Sequence, residues 1–278
     1  QTEKGNASGS AFKFPNTVYN AAGGYLSICS GIKGYNVTVT NGAQSGLASM
    51  AYAMSVLRSG QENAMLATGS DENSDTMTEL FGKLGVTSEK VVAPFAGNDG
   101  FVLSDGSASV LIEDEKAARE RGARIYCHAS GYGMAHSSVK FGTLTGSEAG
   151  LTNAVNNALA DAGMTIDDID AVFGFANGMK AVDDVEIKGL TAVFGDKLAE
   201  KPVVELKEVL GESRAAAATT AAAHAALMFA GKIPSQEAYS IAADGSVSKT
   251  NVEASKLNNV LVVAYGAGGS YTAIVLSK

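Results

Sequence analysis

The chain has 278 residues, 46% of them hydrophobic, with a net charge of −8, two cysteines and no tryptophan. An acidic chain without clustered Lys/Arg and interleaved aromatics is not a nucleic-acid binder, and no apolar run reaches membrane-spanning length. Two cysteines without metal-ligand spacing, and no leader pattern at Gln1, fit a globular protein of the reducing cytosol and indicate neither metal nor cofactor.

In chain order, residues 16–30 read as a helix and the β-branched residues Val37 to Thr40 as a strand. A tight turn at Gly42 opens a helix over 44–58, in which Leu47, Met50, Met54 and Leu57 recur at helical spacing. Further strands are expected near 63–68, 108–113, 124–132, 171–175, 203–206, 259–265 and 270–276, and further helices over 75–83, 115–121, 148–162, 184–194 and 214–230. The last two strands meet at Gly266 to Gly269 as a hairpin-like return. Such alternation is α/β, and no Pro- or Ser-rich linker divides residues 1–278.

The junction at residue 44 carries the chemistry. A residue between strand and helix is held at a helix N-terminus, where the dipole and free N–H groups favour an anion such as a thiolate. Here the position holds Gln44, an amide that donates and accepts hydrogen bonds but cannot be acylated. Neither Cys29, in an apolar run, nor Cys127, in a strand-like segment, lies at this elbow, and both read as small packed thiols. His224 falls in an alanine-rich helix and His128 in a strand; only His136 has a loop setting that suits contact with a ligand.

The elbow, the run from Pro94 to Glu113 (PFAGNDGFVLSDGSASVLIE), the stretch Ala118 to Tyr126 with Gly131 and Gly133, and Gly266 to Gly269 together resemble the β-ketoacyl synthases, in that family's order across nearly the whole chain. Glutamine in place of the family's cysteine looks like the chain length factor, the partner subunit of type II polyketide ketosynthases. The resemblance implies a thiolase-like layered α-β-α-β-α fold of two related halves, approximately 1–113 and 114–278, with the N-terminal part of the first half-domain missing from this chain. It places Lys207 at the family's lysine and Glu212 at its second histidine. Counting back from Asp183 and Glu186 puts Phe175 at the first histidine, whereas alignment by the short side chain and glycine puts Asn177 there; neither is an imidazole.

Claisen condensation needs a thiolate to hold the acyl chain and donors to stabilise an enolate, so the resemblance implies a subunit that does not condense by itself. It would pair with a cysteine-bearing ketosynthase and serve an acyl carrier protein, shaping the tunnel that sets polyketide or polyene chain length. A two-fold interface would be built from Tyr19, Gly23, Gly24, Tyr25 and the strand through Val39. The missing first strands would expose edges and make the chain unstable alone unless a separate chain supplies them. Two alternatives stay open: a malonyl-carrier-protein decarboxylase using Gln44, and an acyl-binding pseudoenzyme. Lys207 and Glu212 read as an ion pair that holds the pocket's shape, or as a solvated pair at a helix start.

Overall fold

The computed structural model describes residues 12–140 and 146–278. Its contacts divide the chain into two compact units, one ending at Thr40 and the other spanning Asn41–Lys278. In the first unit a 3-10 turn, Phe14–Thr17, with Pro15 in its first positions, gives way to extended Val18, so helix α1 (Ala21–Ser30) starts five residues later than residues 16–30 imply. Gly31, at φ 65°, closes it in the left-handed conformation that an L side chain resists. The expected strand at 37–40 does not form, because among the described residues these extended residues have no strand partner.

The second unit runs α2 (Ser45–Arg58), β1 (Ala64–Asp71), α3 (Asp75–Lys83), β2 (Gly106–Glu113), α4 (Glu115–Glu120), β3 (His128–His136) and α5 (Glu148–Ala162). It continues with β4 (Ala171–Phe173), α6 (Lys180–Phe194), β5 (Val203–Val204), α7 (Lys207–Leu210), α8 (Ala215–Phe229), β6 (Ser235–Ile241), β7 (Val247–Glu253), β8 (Asn259–Gly266) and β9 (Ser270–Ser277). Among the described residues two sheets result: an antiparallel pair β1-β2, and seven strands in the order β3-β9-β8-β4-β5-β6-β7. Strands β4 and β8 pair in parallel, and their near-continuous apolar sequences are those of strands covered on both faces. The hairpin β6-β7 was not expected: its polar alternation, turning at Gly245 (φ 82°), gives little apolar signal. The strand expected at 124–132 begins only at His128.

Helices α2 and α8 pack on β1 and β2 and also reach the larger sheet, while α5 packs on β3 and β9 and against α6. Successive residues of β9 face opposite ways, as a strand requires. Tyr271 lies under Gly150 of α5, where an added Cβ would sit 2.2 Å from the ring, and Thr272 bonds to Gln44 at the start of α2. The first turn of α8 approaches two glycines at once. A Cβ on Gly46 of α2 would lie 2.1 Å from the Ala215 carbonyl oxygen, and one on Gly69 of β1 would lie 2.3 Å from the same atom. Among the described residues no helix is long and apolar enough to cross a membrane.

Candidate functional site

Gln44 caps α2 and is fully buried. Its Oε1 accepts from the Thr272 hydroxyl at 2.5 Å and its Nε2 donates to the Asn41 carbonyl at 3.3 Å, so the amide is tied at both ends. The Asn41 N–H donates to Ser45 Oγ at 2.7 Å, and Ser270 Oγ donates to Asn41 Oδ1 at 3.1 Å. His136 meets this network at its edge, with Nδ1 3.4 Å from Ser270 Oγ.

Phe175, Asn177, Lys207 and Glu212 form a second group. Lys207 Nζ donates to Glu212 Oε2 at 2.8 Å and to the Phe175 carbonyl at 2.9 Å, and lies 3.0 Å from the centroid of the Phe175 ring. Asn177 Nδ2 donates to the same Glu212 oxygen at 2.9 Å. The Lys207 and Glu212 side chains are 5% and 6% exposed, which settles the choice between an internal and a solvated pair. Both residues that vied for one position therefore touch Lys207 or its partner: Phe175 through its carbonyl and ring, Asn177 through Glu212. Tyr265 of β8 stands edge-on to Phe175, ring centroids 5.5 Å apart, and faces Tyr271, the neighbour of Thr272, at 6.3 Å. A cavity of about 110 Å³, lined by Val91, Val102, Asn177, Lys207, Val209 and Gly211 among others, adjoins the group.

Three more buried carboxyls lie beneath it. Asp183 accepts the N–H groups of Phe95 at 2.7 Å, Asn177 at 3.0 Å and Gly178 at 3.2 Å, yet burial outweighs these donors and pushes its carboxyl up to about 6. Glu186 accepts the Phe175 N–H at 2.7 Å. Among the described residues Glu205 receives no donor on either oxygen, and Glu186 Oε1 lacks one as well. Burial, followed by the neighbouring Glu186 carboxylate, holds Glu205 well above the usual carboxylate range. A carboxyl that keeps its proton has a donor to offer the neighbouring Glu186. Both carboxyls pass over Gly174, where a Cβ would stand 1.9 Å from Glu205 Oε1 and 2.3 Å from Glu186 Oε1.

Among the described residues two other than glycine take positive φ, Phe95 at 64° and Arg214 at 51°, and each turns its N–H toward a carboxylate of this cluster. Phe95 donates to Asp183 and Arg214 to Glu212 at 2.8 Å, while the Arg214 guanidinium bonds Asp71 at 2.7 Å. Such conformations each cost about 1–3 kcal/mol and persist where surroundings enforce them. Sequence reasoning used Asp183 and Glu186 only as counting marks and missed Glu205. Its signal was present: a lone acid closing the apolar run PVVEL.

The remaining candidates lie elsewhere. Cys127 is half-buried against the hydrophobic core, and burial raises its thiol to about 11. His128 pairs loosely with Glu115 at 3.7 Å, and His224 packs on Phe173 with its pKa lowered by burial. In the first unit Tyr19 and Tyr25 are exposed while Gly23, Gly24 and Val39 are half-buried; the Tyr25 hydroxyl donates to Asn16 at 2.7 Å. Among the described residues no group of three or more His, Cys, Asp or Glu is arranged to hold a metal ion.

Models of the β-ketoacyl synthase N-terminal and C-terminal domains match residues 1–118 and 126–239. A 3-oxoacyl-[acyl-carrier-protein] synthase 2 of Coxiella burnetii is 29% identical over 217 residues, covering 75% of this chain and 52% of that protein. A putative polyketide beta-ketoacyl synthase 2 of Streptomyces coelicolor is 28% identical over 270 residues, covering 94% of this chain and 63% of that protein. Among solved structures, the ishigamide ketosynthase/chain length factor superposes with a TM-score of 0.83 at 24% identity, over 94% of this chain and 65% of that one. The fold is thus the thiolase-like ketosynthase fold, and the chain spans about half the length of the first of these relatives.

Proposed function

Because this chain belongs to the β-ketoacyl synthase family, we propose that it is a ketosynthase-like subunit without condensing activity of its own, of the chain-length-factor kind. It would pair with a cysteine-bearing ketosynthase, serve an acyl carrier protein, and help shape the tunnel in which a polyketide or polyene chain grows. The observation that carries this reading is the Glu212 carboxylate seated on Lys207 and Asn177. Decarboxylative condensation leaves an enolate that needs free donors. Here the ammonium and the amide are already spent on a fixed anion, which would also repel a malonyl carboxylate and a developing enolate. The Gln44 amide offers no nucleophile, and its two hydrogen bonds make it a filler of the elbow.

The test is twofold. Native mass spectrometry of the protein purified with its companions should show a complex with a cysteine-bearing ketosynthase, and the chain itself should release no carbon dioxide from malonyl carrier protein. Release that disappears in Gln44→Ala would replace this reading with the decarboxylase. Thioester binding by a lone chain would replace it with an acyl-binding pseudoenzyme.

A further inference from the structure

The chain holds two Asn-Gly pairs, Asn41-Gly42 beside Gln44 and Asn177-Gly178 beside Glu212. In such a pair the glycine nitrogen can attack the asparagine side-chain carbonyl carbon, because no Cβ on the following residue obstructs the approach. The structure treats the two pairs differently. At Asn177-Gly178 every group that would react is engaged: the Gly178 N–H donates to Asp183 at 3.2 Å, Asn177 Nδ2 donates to Glu212 at 2.9 Å, and Asn177 Oδ1 accepts the Met179 N–H at 3.1 Å. Asn177 is 8% exposed, and a Cβ on Gly178 would stand 2.7 Å from Val92.

At Asn41-Gly42 the attacking nitrogen and the leaving group are both open. Among the described residues neither the Gly42 N–H nor Asn41 Nδ2 has a hydrogen-bond partner. Gly42 is exposed, and a Cβ there would meet nothing within 4 Å, so water has access to the peptide. The side-chain carbonyl, in contrast, ends a chain of donors. Ser270 Oγ donates to Asn41 Oδ1 at 3.1 Å; a hydroxyl has one proton to give, so His136 Nδ1, 3.4 Å from the same oxygen of Ser270, is a donor to it. Aligned donors polarise one another, and these point at the oxygen on which charge develops when Asn41 Cγ is attacked. We infer that Asn41-Gly42 is a self-modification site that closes to a cyclic imide and opens to aspartate or isoaspartate. The Gly42 nitrogen bonds to Asn41 Cγ and yields its proton to hydroxide, while the Cγ–Nδ2 bond breaks and Nδ2 leaves as ammonia with a proton from water. Water then opens the ring at either carbonyl. Opening at the main-chain carbonyl turns the oxygen that Gln44 Nε2 bonds at 3.3 Å into part of a free carboxylate and routes the main chain through Cβ, so the modified elbow holds Gln44 differently. Ser270 touches the reacting carbonyl, and His136 positions Ser270. The reaction needs no partner.

The experiment ages the full chain in warm, mildly alkaline, ammonia-free buffer and maps its peptides by mass spectrometry, with isoaspartate counted by enzymatic methyl transfer. The expected result is a gain of one dalton together with isoaspartate at position 41, at least tenfold faster than at 177, a preference that vanishes when the chain is aged unfolded in urea. Ser270→Ala should slow position 41 at least threefold in the folded chain and leave its rate in urea unchanged. His136→Phe should slow it as well, and His136→Asn, whose amide can donate from the place of Nδ1, should restore it. A variant that merely loosens the fold raises the rate at 177 too, so the ratio of the two positions is the quantity read. Equal rates at 41 and 177 in the folded chain, conversion at 177 alone, or an unchanged position 41 in folded chain whose unfolded form reacts would overturn the inference. Faster conversion at 41 in Ser270→Ala, with 177 unchanged, would overturn the donor chain by showing that the hydroxyl restrains the amide.

Discussion

The Thr272 hydroxyl of β9 and the Gln44 amide at the start of α2 are joined by a 2.5 Å hydrogen bond between residues 228 positions apart in the chain. Both are fully buried. Gln44→Ala leaves that hydroxyl and the Asn41 carbonyl without this partner in a dry site, and should lower stability by about 1–3 kcal/mol, read as a shift of the urea midpoint at unchanged slope. Gln44→Cys restores a thiol at the elbow but leaves Lys207 bound to Glu212, so acyl loading without condensation is the expected outcome in a carrier-protein assay.

Lys207→Met strands Glu212 as a buried anion, a change worth about 3–5 kcal/mol of stability. The double variant Lys207→Met, Glu212→Leu removes both charges and should recover most of that loss. Thermal melts of the two single variants and the pair form a cycle whose coupling measures the interaction.

Acid dependence follows from the carboxyls beneath the pair. The Asp183 carboxyl is raised from 3.8 to about 6, so folding favours its protonated form. Stability from this group is fully present below pH about 4, falls as pH rises toward 6, and is gone above that, a change of up to about 3 kcal/mol. Unfolding measured from pH 4 to 7 should show the fall, and Asp183→Asn should flatten it. Burial and the neighbouring Glu186 give Glu205 the same sign, stability that is present while the carboxyl keeps its proton and lost as pH rises. Glu205→Gln keeps a donor toward Glu186 at every pH and should therefore remove this part of the pH dependence, read in the same unfolding series.

Gly174→Ala puts a methyl group 1.9 Å from a Glu205 oxygen and 2.3 Å from one of Glu186. Overpacking of this kind should cost about 3 kcal/mol or more, in contrast to Gly163→Ala, where only the left-handed φ of 66° is at stake. Circular dichroism melts of the two variants, with Glu205→Ser added to the first, separate the collision from a general intolerance of the loop.

Helix α2 and its elbow were legible because apolar spacing over fourteen residues is a strong local signal, and the helices at 75–83 and 148–162 were read to the residue for the same reason. The 37–40 strand was misread because β-branched residues state a preference, while a strand also needs a neighbour. The hairpin β6-β7 was lost because its partners are polar. Glu205 was legible only as a lone acid in an apolar run; that it meets Glu186 over Gly174 is a tertiary fact with no local sign. The ion pair of Lys207 and Glu212 was legible since both lie within six residues of one another.

The contact of α8 with Gly46 and Gly69 leaves no slack among three backbones. If β1 slides along its sheet, the Ala215 carbonyl must follow, and with it Arg214, whose guanidinium already grips Asp71 of β1 and whose N–H holds Glu212. The outer sheet and the charge cluster are therefore geared together: whatever sets the position of β1 also sets how firmly the lysine of the cluster is held.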